Sequence, residues 1–178
     1  EARVRPILSG SAADAHRRVE AEQPLRNDNA LAPRSLTNPG ARLCVSDHET
    51  WNPDTLPLAR AYGAGDPRPE LLNLCCGSLC KYAAVASGAA AAFIHHPKLG
   101  VPELRGFVWD HAAGVALVEA AGGVVTDARG ERVPLGKDER SFVCGGGALV
   151  VAANRDVHAE ALAKLKLGLP HFRTRGGT

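Results

Sequence analysis

One stretch, residues 107–127, constrains the fold more than any other part of the chain. Trp109 and Asp110 open a run of small and apolar residues, which a Gly-Gly pair closes before a Val-rich run follows. A carboxylate favours a helix start, because it pairs with free backbone amides and with the positive end of the helix dipole. Glycine commonly ends helices. The stretch therefore predicts a helix over residues 110–121 followed by a strand, which is a unit of an α/β layer.

The composition of this helix indicates both burial and ligand binding. Only two of its residues are clearly polar, so we expect most of its surface to be buried. A helix N-terminus attracts anions, and we expect the amides of Ala112, Ala113 and Gly114 to face one. Mg²⁺ would complete such a site, since it takes one or two carboxylates together with phosphate oxygens and water. The alternative is that Asp110 serves only as a helix cap.

The rest of the chain alternates between strand and helix patterns. This alternation predicts an α/β fold, with a layered mixed β-sheet covered by helices on at least one face. Residues 1–40 lack a sustained hydrophobic period, so we expect a poorly defined, loop-rich segment there. We expect the α/β domain over residues 41–167 and a frayed tail over residues 168–178. The expected elements are strands at 41–46, 70–75, 91–95, 124–126 and 148–152, helices at 53–62, 79–87, 110–121 and 156–166, and a loop at 97–105.

Charge, hydropathy and cysteine content exclude several classes of function. The 178 residues carry a formal net charge of +2 with acids and bases interspersed, so no basic footprint for nucleic acid is present. The longest apolar run, residues 83–94, is too short to span a bilayer. The five cysteines lack the spacing of a zinc site, and unpaired thiols indicate a reducing intracellular compartment such as cytoplasm or plastid. The sequence begins with Glu1 rather than Met, so we expect a fragment or a processed product, and no secretory signal is visible in its first residues.

A second constellation is Ser78-Leu79-Cys80-Lys81. A serine at a helix start and a lysine one turn later can bind one phosphate together, the first through its hydroxyl and amide and the second as a point charge. The spacing alone is also that of an ordinary N-cap serine, so both interpretations stand at this point.

Two motifs carry a resemblance to a known family. The residues W-D-H-A-A-G, with the following L-V-x-x-A-G-G-x-V-T-D, resemble the C-terminal signature of the inositol monophosphatase/fructose-1,6-bisphosphatase superfamily. Together with S-L-C-K-Y they are most similar to the C-terminal part of the 3'(2'),5'-bisphosphate nucleotidases. The resemblance extends from about residue 43 to about residue 165. It implies the C-terminal half of the inositol monophosphatase-like sugar phosphatase fold, and Mg²⁺-dependent removal of the 3'-phosphate of 3'-phosphoadenosine 5'-phosphate to give AMP.

The resemblance also implies roles for individual residues. Asp110 would be a metal ligand, and Ser78 and Lys81 would contact a nucleotide bisphosphate. His48 would lie at the substrate cleft. His95 stands where the family carries a phosphate-binding Arg, which a histidine replaces only when it is protonated. For Trp109 itself we expect packing at a domain seam, with stacking on a base as the alternative.

Two family motifs are absent from this sequence. Neither the acidic Glu-Glu segment nor D-P-x-D-G-T, which supply the other metal ligands, occurs here, since Asp66-Pro67 is followed by Arg68-Pro69. We therefore expect that a catalytic half lies upstream, so that no catalytic residue is within the fragment and the isolated chain is inactive. An inositol-phosphate phosphatase of the same superfamily and a non-catalytic binding or regulatory module remain alternatives. The sequence does not decide the oligomeric state.

Overall fold

The computed structural model describes residues 32–45, 49–54, 56–97, 101, 103–136 and 139–168. Seven strands and three α-helices form in these ranges. The strands are β1 (Arg42–Val45), β2 (Glu70–Asn73), β3 (Ala92–His95), β4 (Arg105–Phe107), β5 (Val124–Asp127), β6 (Ser141–Val143) and β7 (Leu149–Ala152). The helices are α1 (Ser78–Ala86), α2 (Val108–Ala120) and α3 (Arg155–Gly168), with 3₁₀ turns at Pro57–Ala61 and Gly145–Gly147.

A five-stranded sheet with the order β2-β1-β3-β7-β5 organises the chain. Strand β1 runs parallel to β2 and β3, whereas β7 runs antiparallel to β3 and β5. The predicted mixed α/β sheet is therefore confirmed. Strands β4 and β6 form a separate antiparallel pair. The sequence analysis missed this pair, because three-residue strands that are far apart in sequence leave no alternating pattern to detect.

Alternating strand residues divide the core into two layers. On one face of the sheet, Leu43, Ile94 and Val150 pack with residues of α3 and of the 3₁₀ helix Pro57–Ala61. On the other face, Phe93 and Val151 pack with residues of α1 and α2. Strand side chains point to opposite faces with a period of two, so the same three central strands serve both layers. The order of layers is helix, sheet, helix.

Helices α1 and α2 lie against each other because Gly114 has no side chain. A methyl group at this position would overlap the ring of Tyr82, which is fully buried. Gly122 has φ of 79° and ends α2, in agreement with the predicted Gly-Gly stop. The close helix pair positions the two helix starts side by side.

Two expectations about α2 are wrong. The helix begins at Val108, so the i→i−4 pattern already engages the amides of Ala112, Ala113 and Gly114 within the helix. The amides left outside that pattern are those near Trp109 and Asp110. The helix is also only partly buried, because its outward side is exposed although most residues there are apolar, namely Trp109, Ala113, Ala116, Leu117 and Ala120. Small residues allow a helix to pack closely against a neighbour, but they do not show that a neighbour covers that side of the helix.

The expected helix over residues 53–62 is reduced to the 3₁₀ turn Pro57–Ala61, which begins at a proline. Among residues 32–40, Leu36 is fully buried and its amide donates to the Glu160 carboxylate at 2.9 Å. The division at residues 40 and 167 stays a prediction, since residues 1–31 and 169–178 lie outside the described part. None of the helices in the described ranges combines the length and apolar character needed to cross a membrane.

Candidate active site

A cleft of about 340 Å³ lies where α1, β3, β4 and α2 meet. Four of the five residues singled out from the sequence line it: Ser78, Lys81, His95 and Asp110. The fifth, His48, lies outside the described residues. The four come from three separate elements, so the fold brings together positions that are distant in sequence.

The two helix starts are joined by one hydrogen bond. The Ser78 hydroxyl donates to the carbonyl oxygen of Asp110 at 2.8 Å. Ser78 is the first residue of α1, and the N-cap position belongs to Gly77. The alternative of an ordinary N-cap serine is therefore wrong, because the hydroxyl bonds across to α2. Since both helix N-termini border the cleft, their positive dipole ends favour an anion there.

Lys81 provides a buried positive charge next to this junction. Its side chain is among the buried polar groups, at 5% exposed, and its Nζ donates to the carbonyl oxygen of Cys76 at 2.9 Å. A lysine held against a backbone carbonyl points its remaining donors in a fixed direction. Lys81 and Ser78 line the same cleft, as expected for a shared phosphate site, but the Ser78 hydroxyl donates its one proton to the carbonyl of Asp110 in this structure.

His95 is held in its neutral form. Burial, reinforced by the nearby His111, His96 and Lys81, lowers the pKa of His95 to about 4. Its Nδ1 is buried and has no hydrogen-bond partner within the described residues. The sequence analysis required a protonated His95 to replace an arginine. The lowered pKa of His95 does not meet that requirement, because desolvation penalises the charged ring. A neutral imidazole offers one hydrogen-bond donor and one acceptor instead.

Behind the cleft, Tyr82 and His111 form a buried pair. The Tyr82 hydroxyl lies 2.9 Å from Nδ1 of His111. Burial raises the pKa of Tyr82, so the phenol keeps its proton, and burial lowers the pKa of His111 against the opposing effect of Asp110. His111 also stacks on His95, with ring centroids 6.0 Å apart. The pair thus packs against the His95 ring through His111.

Comparison with known proteins agrees with this architecture. The profile of the inositol monophosphatase family matches residues 26–167, which is most of the chain. The chain belongs to this family. The superfamily resemblance inferred from the W-D-H-A-A-G signature is therefore confirmed.

Individual relatives carry two different names. Over 139 residues the chain is 36% identical to an Arabidopsis thaliana protein whose name assigns it provisionally to the mitochondrial 3'(2'),5'-bisphosphate nucleotidases, covering 73% of this chain and 34% of the relative. Over 88 residues it is 42% identical to the inositol-1-monophosphatase ImpA of Mycolicibacterium smegmatis, covering 49% of this chain and 24% of the relative. The chain spans about a third or less of the length of these relatives.

Solved structures show the same fold. The crystal structure of the extragenic suppressor protein suhB from Bartonella henselae aligns with a TM-score of 0.52 at 20% identity, over 76% of this chain and 44% of that chain. The predicted inositol monophosphatase-like fold is thereby confirmed.

A metal ion would find a partial donor set here. Asp110 is exposed, and it provides the sole carboxylate among the described residues that line the cleft. No group of three or more His, Cys, Asp or Glu side chains gathers as a metal site in the described ranges. All five cysteines are free thiols, with Cys44 and Cys144 buried. Asp110 therefore fits one ligand position for Mg²⁺, which needs only one or two carboxylates beside phosphate and water.

The sequence analysis missed three residues at this site. Arg105 and Phe107 line the cleft from β4, and His111 lines it from α2. Trp109, expected at a domain seam, is 57% exposed and stacks on Phe107. Arg105 and Phe107 reach the cleft through the β4–β6 pair, which has little local signal in the sequence. The aromatic residues beside Asp110 were the one available hint.

Proposed function

We propose that this chain is the substrate-binding and metal-binding part of a Mg²⁺-dependent phosphatase that removes the 3'-phosphate of 3'-phosphoadenosine 5'-phosphate. One observation carries the proposal: Ser78, Lys81 and Asp110 meet in one cleft at two adjacent helix N-termini. That arrangement combines a buried cation, oriented amides and a carboxylate, which together suit a phosphate and a divalent ion.

Each side chain has a distinct role in this proposal. Lys81 neutralises phosphate charge, and the backbone amides at the two helix starts donate hydrogen bonds to the other phosphate oxygens. Ser78 fixes α1 against α2, so that these donors keep their positions before substrate arrives, which favours a developing charge in the transition state. Neutral His95 donates or accepts one hydrogen bond. His48, from outside the described residues, is proposed as a further substrate contact.

Asp110 is proposed as an oxygen ligand of Mg²⁺. When bound, the ion supplies charge neutralisation at the phosphoryl group and lowers the pKa of a water ligand. The family's remaining carboxylate motifs are absent from this sequence, so we propose that the chain acts within a longer protein and is inactive alone. The alignments, which cover 34% of one relative and 24% of the other, support that proposal. The free thiols support an intracellular, reducing location such as cytoplasm or plastid.

A nucleotide is favoured over an inositol phosphate for two reasons. The longest of the alignments reported above is to a protein named as a nucleotidase, and Ser78 and Lys81 reproduce the nucleotidase motif. The inositol-phosphate alternative has the alignment to ImpA in its favour. Both substrates use the same phosphate site, so only a direct comparison separates them.

The test uses calorimetric binding of adenosine 3',5'-bisphosphate and of inositol 1-phosphate to the chain, with Mg²⁺ present. We expect Lys81→Met to weaken the nucleotide about 30- to 100-fold, the range for charge-assisted bonds in a buried site. Lys164→Met is a matched control, because Lys164 also donates to a backbone carbonyl, that of Ala61, but lies on the α3 face. Affinity should be unchanged in that variant.

Three results would count against the proposal. Equal loss in both lysine variants would remove Lys81 from the site. Stronger binding of inositol 1-phosphate would replace the nucleotide by the inositol substrate. Binding of both ligands without turnover in the longer protein, even at saturating Mg²⁺, would favour a non-catalytic module. In an active longer protein, Asp110→Asn should reduce turnover at least 100-fold at ordinary Mg²⁺ while the fold is retained.

A further inference from the structure

Two large aromatic side chains stand exposed at the mouth of the cleft. Phe107 is 53% exposed and Trp109 is 57% exposed. Their rings are stacked, with centroids 4.8 Å apart and planes inclined by only 7°. Phe107 also lines the cleft that contains Ser78 and Lys81. Scattered exposed apolar residues are ordinary, but a parallel aromatic pair beside a polar cleft is a feature of ligand sites.

Arg140 also contacts this aromatic pair. The guanidinium carbon of Arg140 lies 6.0 Å from the centroid of the Trp109 ring. Phe107 stacks on the same Trp109 ring, so the indole contacts both the phenyl ring and the guanidinium. Such a cation–π contact holds an aromatic ring in place. Trp109 covers one face of the Phe107 ring, and Phe107 itself lines the cleft, whose lining does not include Trp109.

We propose that the free face of Phe107 is a stacking wall for the aromatic base of a nucleotide, and that it makes the site selective for a planar base. This inference rests on the proposed phosphate site and extends it to the other end of the substrate. Phe107 is the last residue of β4 and Asp110 lies in the first turn of α2. A base on Phe107 would therefore lie close to a phosphate held by the two helix starts.

The chemistry favours a flat aromatic ligand over a saturated ring. Every nucleobase presents a π-face, and stacking on an aromatic side chain discriminates by shape without specific hydrogen bonds. An inositol ring has hydroxyl groups on both faces and gains little from contact with a phenyl ring. Selectivity for nucleotides would thus reside in Phe107, whereas phosphate affinity would reside in Lys81.

The experiment separates these two contributions with ligands that differ only in the base. Adenosine 5'-monophosphate and ribose 5-phosphate are titrated into the full chain by calorimetry at fixed Mg²⁺. The variants are Phe107→Leu, the conservative Phe107→Tyr, and Leu117→Ala. Leu117 is a matched control, because it is an exposed apolar residue of α2, at 38% exposed, that does not line the cleft.

We expect the unmodified chain to bind the nucleotide about 10-fold more tightly than the sugar phosphate, and Phe107→Leu to reduce that ratio to about one. Phe107→Tyr and Leu117→Ala should keep the ratio. A ratio unchanged in Phe107→Leu, or an equal loss for both ligands, would overturn the stacking wall and leave the phosphate site standing. Failure of both ligands to bind the unmodified chain would overturn the proposed function as well.

Discussion

Helices α3 and α2 cover opposite faces of the same sheet in different ways. Helix α3 buries Val157, Ala161 and Leu165 and directs charged residues outward. Helix α2 buries Val115 and Val118, but most of its outward residues are also apolar. The first pattern is that of an ordinary surface helix, with one apolar stripe facing the core. The apolar outward side of α2 is not explained by packing among the described residues.

The two faces of the sheet also differ in how many buried polar groups they contain. The α3 face contains an apolar layer with Lys164 on Tyr62 at its edge, and its one described histidine with a lowered pKa, His158, hydrogen-bonds to Thr126 and lines no part of the cleft. The α2 face contains the cleft, a buried lysine and the stacked His95 and His111, both of which have a lowered pKa. Perturbed pKa values and buried polar groups cluster at functional sites. The difference favours the α2 face as the one that carries the proposed chemistry, whereas the α3 face maintains the fold.

The strongest separation of the two faces should come from Leu165→Ala on α3. Leu165 is 1% exposed within the apolar layer, and removing such a side chain lowers the free energy of unfolding by about 2–5 kcal/mol. Denaturant unfolding measures this loss. Calorimetry on the still-folded variant should give unchanged nucleotide affinity. A large change in affinity would contradict the division between the faces.

A second prediction concerns the pH dependence of stability on the α2 face. The pKa of His95 is about 4 in the folded chain, against 6.5 for a free histidine. As pH falls below 6.5, the unfolded chain binds a proton that the folded chain does not. The free energy of unfolding should therefore decrease between pH 7 and pH 4, by up to about 3 kcal/mol from this residue. His111 and His158, whose pKa values are also lowered, act in the same direction.

Urea unfolding at several pH values checks this prediction, with His95→Gln as the comparison. The glutamine variant should show a clearly shallower decrease, because residue 95 of its unfolded chain no longer binds a proton as the pH falls. Parallel curves for the two proteins would show that His95 is not held neutral by the fold.

Gly114→Ala probes the contact between α1 and α2. The added methyl group would overlap the ring of Tyr82, and overpacking of this kind reduces stability by about 1–3 kcal/mol. Because Tyr82 pairs with His111 beside the cleft, we expect nucleotide affinity to fall too. Gly136→Ala is the control, since its methyl group would meet only Cγ of Glu139, at 3.4 Å. Loss of stability without loss of affinity would show that the cleft tolerates a shift of the helices.

The smallest effect is expected for Leu117→Glu on the outward side of α2. Leu117 is 38% exposed, and surface substitutions away from special features usually change stability by less than about 0.5 kcal/mol. Thermal unfolding should be nearly unchanged. A marked destabilisation would mean that this apolar side is covered in the folded chain.

The elements that the sequence predicted best were those with a local signal. The end of α2 at Gly122 and strand β5 follow from glycine and valine in sequence, and the grouping of Ser78, Lys81 and Asp110 followed from a family motif. The start of α2 at Val108 was missed, because Phe107 is its N-cap and provides no side-chain hydrogen bond to signal it.

Other features depend on contacts that no local pattern records. The neutral state of His95 results from burial beside His111, His96 and Lys81, which lie on different segments. The exposure of Trp109 depends on which other parts of the fold pack against it. The β4–β6 pair brings Arg105 and Phe107 to the cleft through strands that are distant in sequence. Each of these is decided by tertiary structure, which a motif describes only indirectly.

The most direct test of the account is a titration of the isotope-labelled chain with adenosine 3',5'-bisphosphate and Mg²⁺, followed by amide resonances in NMR. We predict shifts at the two helix starts, around Ser78 and Asp110, and none along α3. Shifts confined to the α3 face, or none at saturating ligand, would contradict the assignment of a phosphate site to the α2 face.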